Sequence, residues 1–166
     1  MLETVFRNIT WVEGEYKNAV PANIDVDFVE REDDTSKLAW LQSNVSLLSN
    51  TPSLVFVKNA ARGEVVAARL RSLGIKVQTL SQDGTREERE RGMKRVVEGA
   101  SVCTVCTDIL SRGVDTTHVK MVVQFDFARD VTSFLHRCGR TGRHGTEGKG
   151  RIIMIIMIIM IIMIMG

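Results

Sequence analysis

The chain has 166 residues, 25% of them charged, and its 22 Lys and Arg against 20 Asp and Glu leave a formal charge of +2. That length fits one domain able to bury a real core without disulfides or metal staples. The near balance excludes global basicity as a means of holding nucleic acid, so any phosphate-binding surface must be local.

The opening stretch, MLETVFRNITWVEGEYKN, carries acidic residues early and no continuous apolar core, which fits neither a signal peptide nor a transit peptide. Residues 1–22 are read as a linker remnant or a cut end. Strict apolar alternation from Asn23 to Glu30 (NIDVDFVE) predicts a strand, and REDDTS then caps a helix from about Lys37 to Leu48. Ser53 to Val57 is a short apolar strand, followed by a helix from Ala60 to Leu73 that Gly74 ends. Lys76 to Leu80 reads as a strand. Thr85 to Glu98 reads as a charged helix with Thr85 as N-cap and Glu88 in the capping-box position, stopped by Gly99.

The apolar run SVCTVCT makes Ser101 to Thr107 a buried strand. It contains the C-x-x-C string Cys103 and Cys106, but residues three apart on a strand point to opposite faces, and no second cysteine pair completes a metal site, so core packing is expected. With Cys138 the cysteines are odd in number and lack framework spacing, which suits a reducing intracellular compartment. Val119 to Phe125 is a further strand and Asp130 to Arg137 a helix. From Ile152 to Met165 only Ile and Met occur. That is shorter than the ~18 apolar residues of a comfortable membrane span. GRIIMII is read as a buried strand, the remainder of 151–166 is set aside as low-complexity tail, and no membrane is expected.

Short apolar strands alternating with longer helices imply right-handed crossovers and a doubly wound α/β fold with a parallel sheet covered on both faces. Ligands in such sheets gather at the carboxyl ends of the strands, so the loops after Val57, Thr107 and Phe125 are where chemistry is expected.

In HRCGRTGRHG (His136 to Gly145), Arg137, Arg140 and Arg143 recur every third residue with Gly139, Gly142 and Gly145 between them. Glycines let the backbone approach closely and guanidinium groups match phosphate oxygens, which reads as an anion clamp; alone, the stretch could equally be a solvated basic loop. CTDILSRGVD places Thr107, Asp108, Arg112, Gly113 and Asp115 after a buried strand. The Thr107 hydroxyl can donate to phosphate and the Asp115 carboxylate can accept from sugar hydroxyls, while Asp108 could simply be an N-cap.

T-D-x-x-x-R-G-x-D (Thr107 to Asp115) followed by H-R-x-G-R-x-x-R (His136 to Arg143) resembles motifs V and VI of the DEAD-box ATP-dependent RNA helicases, and SLVFVKN (Ser53 to Asn59) resembles motif IV. His136 discriminates, because DEAH-box and RecQ-like helicases usually carry Gln there. The resemblance covers Asn23 to Gly150 and implies the second, C-terminal RecA-like domain, 23–150, of such an enzyme. It further implies that Arg140 and Arg143 reach the ATP phosphates as the catalytic pair. Asp115 contacts the ribose, with Gly113 beside it; His136 and Arg137 link nucleotide state to the first domain; Thr107, Arg89 and Arg112 contact the RNA backbone. Read without the family, Arg89 in TREERERGMKRVVEG is a solvated helical charge.

Three positions depart from the family. Arg86 stands where Gln is usual, Ser81 and Gln82 align with a His-Gly pair, and Val96 replaces a common Phe. No G-x-x-x-x-G-K-[ST] loop or D-E-A-D tetrad occurs, so the phosphate cradle and Mg²⁺ ligands are expected in an N-terminal RecA-like domain outside this sequence. The expected function is half of an RNA helicase, inactive alone and monomeric. The alternatives are a non-catalytic RNA-binding or regulatory module and, less well matched, a DNA helicase domain.

Overall fold

The structure, a computed structural model, describes residue 20 and residues 23–111, 115–142 and 150–157. Its elements run β1 (Ile24–Arg31), α1 (Asp34–Ser43), α2 (Val45–Asn50), β2 (Ser53–Phe56), α3 (Ala60–Ser72), β3 (Val77–Leu80), α4 (Arg86–Val97) and β4 (Cys103–Cys106). A 3-10 turn (Asp108–Ser111), β5 (Met121–Gln124), α5 (Val131–Cys138) and β6 (Gly150–Met157) complete the order.

Local chemistry sets most boundaries. Thr85 and Glu88 form the expected capping box, Glu88 N donating to Thr85 Oγ1 at 3.2 Å and Thr85 N to Glu88 Oε2 at 2.8 Å. A second box, Asp33 with Ser36, starts α1 ahead of the expected Lys37. The expected single helix from Lys37 to Leu48 is two. Asn44 Nδ2 donates to Trp40 O at 2.8 Å, and at φ −114° its backbone leaves the helix. A short amide that bonds a carbonyl one turn back competes with the ladder in this way. β2 to β5 are shorter than expected, the outer residues of SVCTVCT and of Val119 to Phe125 falling outside the ladders, whereas β1 keeps its expected length and β6 runs one residue further.

The strands form one all-parallel sheet in the order β1-β6-β5-β2-β4-β3. Period-two alternation divides its interior strands between two cores. Val55, Cys103, Val105, Met121, Val123, Ile153 and Ile155 face α1, α2 and α3 through Trp40, Leu41, Leu48, Val66 and Leu70. Leu54, Phe56, Cys106, Val122, Ile152 and Met154 face the other layer, where Val96 of α4 and Cys138 of α5 close the core. The Ile/Met run enters between β1 and β5, in register with Val26 and Val122 at Ile152. Ile152 to Ile155 are buried, alternating between the two cores, which suits an uninterrupted apolar stretch there. Among the described residues no helix is long and apolar enough to cross a membrane.

Cys103 and Cys106 do fall on opposite faces, and all three cysteines are free and buried. Desolvation pushes Cys103 up to about 11 and Cys138 to about 12, and Cys106 higher still. A chromogenic disulfide reagent at pH 8 is expected to label none of them in the native protein and all three in guanidinium, with early native labelling contradicting this packing. Because the folded pKa values lie above the unfolded ones, near ~8.5, the thiols' contribution to stability is complete below that pH. It is lost as pH rises through the folded values.

Candidate functional site

Connections leave β2 toward β3 and β5 toward β6, so a crevice opens at the carboxyl ends of this central pair. Asp126 lies there, immediately beyond β5 and almost fully buried. Lys58 N donates to its Oδ2 at 3.1 Å and Lys37 Nζ to its Oδ1 at 3.2 Å. Arg62 Nε approaches Oδ2 at 3.4 Å as an ion pair too poorly aligned for a hydrogen bond, and the same guanidinium pairs with Asp34. Lys37 Nζ and Arg62 Cζ lie 4.9 and 5.1 Å from the centroid of the Phe125 ring. Desolvation works against the charge on Arg62, but the pairs with Asp34 and Asp126 outweigh it and raise its pKa. One carboxylate thus holds α1, α3 and the loop after β2.

The main chain of Asp126 serves the other layer. Arg137, 1% exposed, donates from Nη1 to Asp126 O at 2.8 Å and to Gln124 Oε1 at 3.5 Å, and from Nε to Asp108 Oδ1 at 2.7 Å. Its Cζ stacks 5.1 Å from the Phe56 centroid. Arg137, expected from the resemblance to link nucleotide state to the first domain, points inward with its guanidinium engaged by the loops after β4 and β5. Asp108 opens the 3-10 turn and is also the counter-ion of Arg137.

The expected loops do converge. A cleft of ≈ 460 Å³ is lined by Gln82, Asp108, Ile109, Arg129, Asp130, Ser133 and His136, and an adjoining one of ≈ 280 Å³ by Lys58, Asn59, Ser81, Thr107 and Arg129. They share Gln82, Asp108 and Arg129. Asp130 caps α5, and the bond from Ser133 N at 2.6 Å holds its carboxyl below the ordinary range. Thr107 N donates to Leu80 O at 3.2 Å, whereas its Oγ1 is buried with no hydrogen-bond partner among the described residues. Arg89 donates from Nη1 to Gln82 O at 3.0 Å and Gly84 O at 2.6 Å, closing the loop between β3 and α4 at the rim of a third cleft of ≈ 330 Å³.

A second cluster lies at the opposite, amino ends of the strands. The carboxyl-end rule did not anticipate it, because α5 runs back across the sheet and delivers its own C-terminus there. Arg140 donates from Nε to His136 O at 3.1 Å, and its carbonyl accepts from Thr116 Oγ1 at 2.7 Å. Thr141 Oγ1 donates to Val119 O at 3.0 Å, and Asn23 Nδ2 donates to Gly142 O at 2.8 Å. Gly142 sits at φ +68°, where a Cβ would stand 2.7 Å from Ile24 Cγ1, so both conformation and space require glycine. Asp115, exposed and next to Thr116, accepts from Thr117 N at 3.2 Å. The structure thus joins Asp115 to Arg140 and separates both from Thr107 and Arg89, while His136 lines the large cleft. Arg112, Gly113 and Arg143 lie outside the described residues. Among those described, no group of three or more His, Cys, Asp or Glu is placed to hold a metal ion.

Sequence reasoning missed Asp126, Lys37 and Arg62. The one available signal was Lys37 standing three and four residues before Trp40 and Leu41, on the apolar side of an amphipathic helix.

The helicase conserved C-terminal domain family matches residues 36–145. ATP-dependent RNA helicase DBP8 of Debaryomyces hansenii is 34% identical over 132 residues, covering 78% of this chain and 30% of that protein. The pre-mRNA-splicing ATP-dependent RNA helicase prp28 of Sclerotinia sclerotiorum is 36% identical over 70% of this chain and 14% of its own length. The chain therefore spans less than a third of these relatives. Among solved structures, S. cerevisiae Dbp5 bound to RNA and ADP BeF3 superposes with a TM-score of 0.83 at 27% identity, over 94% of this chain and 41% of that one. The E. coli DEAD-box protein SrmB bound to RraA gives 0.71 at 33% identity, over 81% and 78%.

Removing the Asp126 carboxylate strands Lys37, which is 4% exposed, without its counter-ion. Asp126→Ala is therefore expected to cost about 3 to 5 kcal/mol in urea unfolding. Adding Lys37→Met should recover part of that loss. Equal losses in the single and double variants would show that the pair is not the source.

Proposed function

Because the chain belongs to the helicase conserved C-terminal domain family, and within it to the DEAD-box RNA helicases, we propose that it is the second RecA-like half of an ATP-dependent RNA helicase. Residues 23–150 form the functional unit, which closes with an N-terminal RecA-like domain of the same protein to bind RNA, hydrolyse ATP and separate short duplexes. The observation that carries this reading is the segregation of the candidate residues to opposite ends of one parallel sheet.

At the carboxyl ends, Thr107 and Arg89 contact the RNA sugar-phosphate backbone, a role shared by Arg112, which lies outside the described residues. The buried, unpartnered hydroxyl of Thr107 supports this, since such a group ordinarily has a partner and a phosphate oxygen supplies one. Arg89 has Nη1 committed to its own loop, and its other N–H donors remain for phosphate. At the amino ends, Asp115 faces the ribose and Arg140 the phosphates; Gly113 and Arg143, outside the described residues, are assigned to the same nucleotide. The exposed Asp115 carboxylate retains acceptor capacity for sugar hydroxyls, which fits that role. ATP bound there with Mg²⁺ supplies the phosphoryl group for transfer to water, and the Mg²⁺ ligands belong to the N-terminal domain. His136 and Arg137 transmit nucleotide state, His136 from the cleft wall and Arg137 from within.

Three outcomes test the reading. This chain alone is expected to show no RNA-stimulated ATPase and only weak, steeply salt-dependent, sequence-independent RNA binding. Turnover by the purified chain contradicts a two-domain enzyme. In the full-length parent, Arg143→Ala should lower the catalytic rate by about 10³-fold or more with little change in ATP affinity, and Arg143→Lys should rescue poorly. A raised Michaelis constant with unchanged turnover instead assigns the arginine to uniform binding. Thr107→Val should weaken RNA binding by up to about tenfold while leaving the unfolding midpoint unchanged or higher, because the hydroxyl it removes has no partner within the chain. A loss of stability with unchanged RNA affinity removes Thr107 from the interface.

A further inference from the structure

A cleft of ≈ 430 Å³ lies at the amino ends of β3 and β4, at the far side of the sheet from the Asp115 and Arg140 cluster. Its walls include the cations Arg71, Lys76 and Arg95, from the last turns of α3 and α4 and the start of β3, over Ile75, Val77 and Val102. Unlike the three clefts at the carboxyl ends, each of which has a carboxylate in its walls, this one has none. Lys76 and Arg95 are exposed and form no ion pair among the described residues, while Arg71 meets Glu64 only at 3.7 Å across exposed side chains. Val102 is 38% exposed beside them.

The cleft borders the open edge of the sheet. β3 pairs with β4 alone. Leu80 O accepts from Thr107 N on the β4 side, so by the alternation of a parallel ladder Gln78 and Leu80 direct their peptide groups inward. Val77 and Thr79 direct theirs outward, where no partner is found among the described residues. An unpaired strand edge is a template for one more strand, and flanking cations select what may add to it.

From this we propose that the β3 edge and its basic cleft are a docking site for an acidic, extended peptide segment of a partner protein. The added strand pairs with Val77 and Thr79, its carboxylates meet Arg71, Lys76 and Arg95, and its apolar side chains cover Val77 and Val102. The observations favour peptide over RNA, because no aromatic ring is among the described residues lining this cleft to stack bases. The site shares no residue with the proposed nucleotide and RNA contacts, so occupancy need not compete with either.

The test uses the 166-residue chain and a fluorescein-labelled peptide alternating glutamate with valine. Its controls are the same peptide with lysine for glutamate and an oligouridylate. Binding of the glutamate peptide is expected to weaken with salt and to shift the backbone amide resonances of Val77, Thr79 and Val102. The double variant Lys76→Glu with Arg95→Glu should weaken it by about tenfold. Thr79→Pro, which removes one outward donor at an edge position where proline is tolerated, should weaken it without altering the cation set. The charge-reversal variant touches no proposed RNA or nucleotide contact. In the full-length parent its RNA-stimulated ATPase should match the unmodified enzyme, so failure here is distinct from failure of the helicase reading. Absence of glutamate-peptide binding, equal binding of the lysine peptide, insensitivity to charge reversal, or oligouridylate occupying the cleft would each overturn the proposal.

Discussion

Burying Lys37, with Arg62 half-buried beside it, requires an anion at the same depth, and the carboxylate of Asp126 meets that requirement at the carboxyl end of β5. Such an arrangement is not a strong source of net stability, since desolvating the ions offsets most of their attraction. Its consequence is geometric. The carboxylate fixes where α1 and α3 stand relative to the loop after β2, and the carbonyl of the same residue fixes Arg137 in the opposite layer. One residue at the switch point of the sheet therefore sets both walls of the crevice. The mouths of the clefts inherit their shape from that placement.

Arg137 extends the constraint along α5. Its guanidinium is enclosed by Asp108, Gln124, Asp126 and the Phe56 ring, so α5 cannot slide without breaking a half-buried ion pair. His136 precedes it on the wall of the large cleft, and Arg140 follows one turn later at the other end of the sheet. Asp108 is adjacent to Thr107. A single helix thus connects the carboxyl-end residues to the amino-end residues through packed and hydrogen-bonded groups.

The amino-end cluster depends on glycine and threonine more than on charge. Thr116 and Thr141 bond main-chain carbonyls across the turn that follows α5, and Gly142 permits the turn to lie against Ile24. Gly150 meets the same constraint, since a Cβ there would stand 2.7 Å from Gly142 N. β1 and β6 are thereby joined at their starts to the segment carrying Arg140. The Ile/Met composition of β6 is accommodated because that strand has a neighbour on each side and a core on each face.

The sequence by itself determined the alternation of strands and helices, the capping of α4, the opposite orientations of Cys103 and Cys106, and the family through the order of its motifs. These follow from local periodicity, from side chains that bond their own backbone, and from strings of residues whose spacing is their meaning. Tertiary structure alone decided the rest. Asp126, Lys37 and Arg62, far apart in the chain, become one cluster only when β5 lies beside β2. Arg137 and Arg140 share a motif and a residue type, yet one is enclosed by the carboxyl-end loops and the other stands at the amino edge. A three-residue interval at the end of a helix fixes their separation but not which of them meets a carboxylate. That depends on the position of Asp108, 29 residues away in the chain.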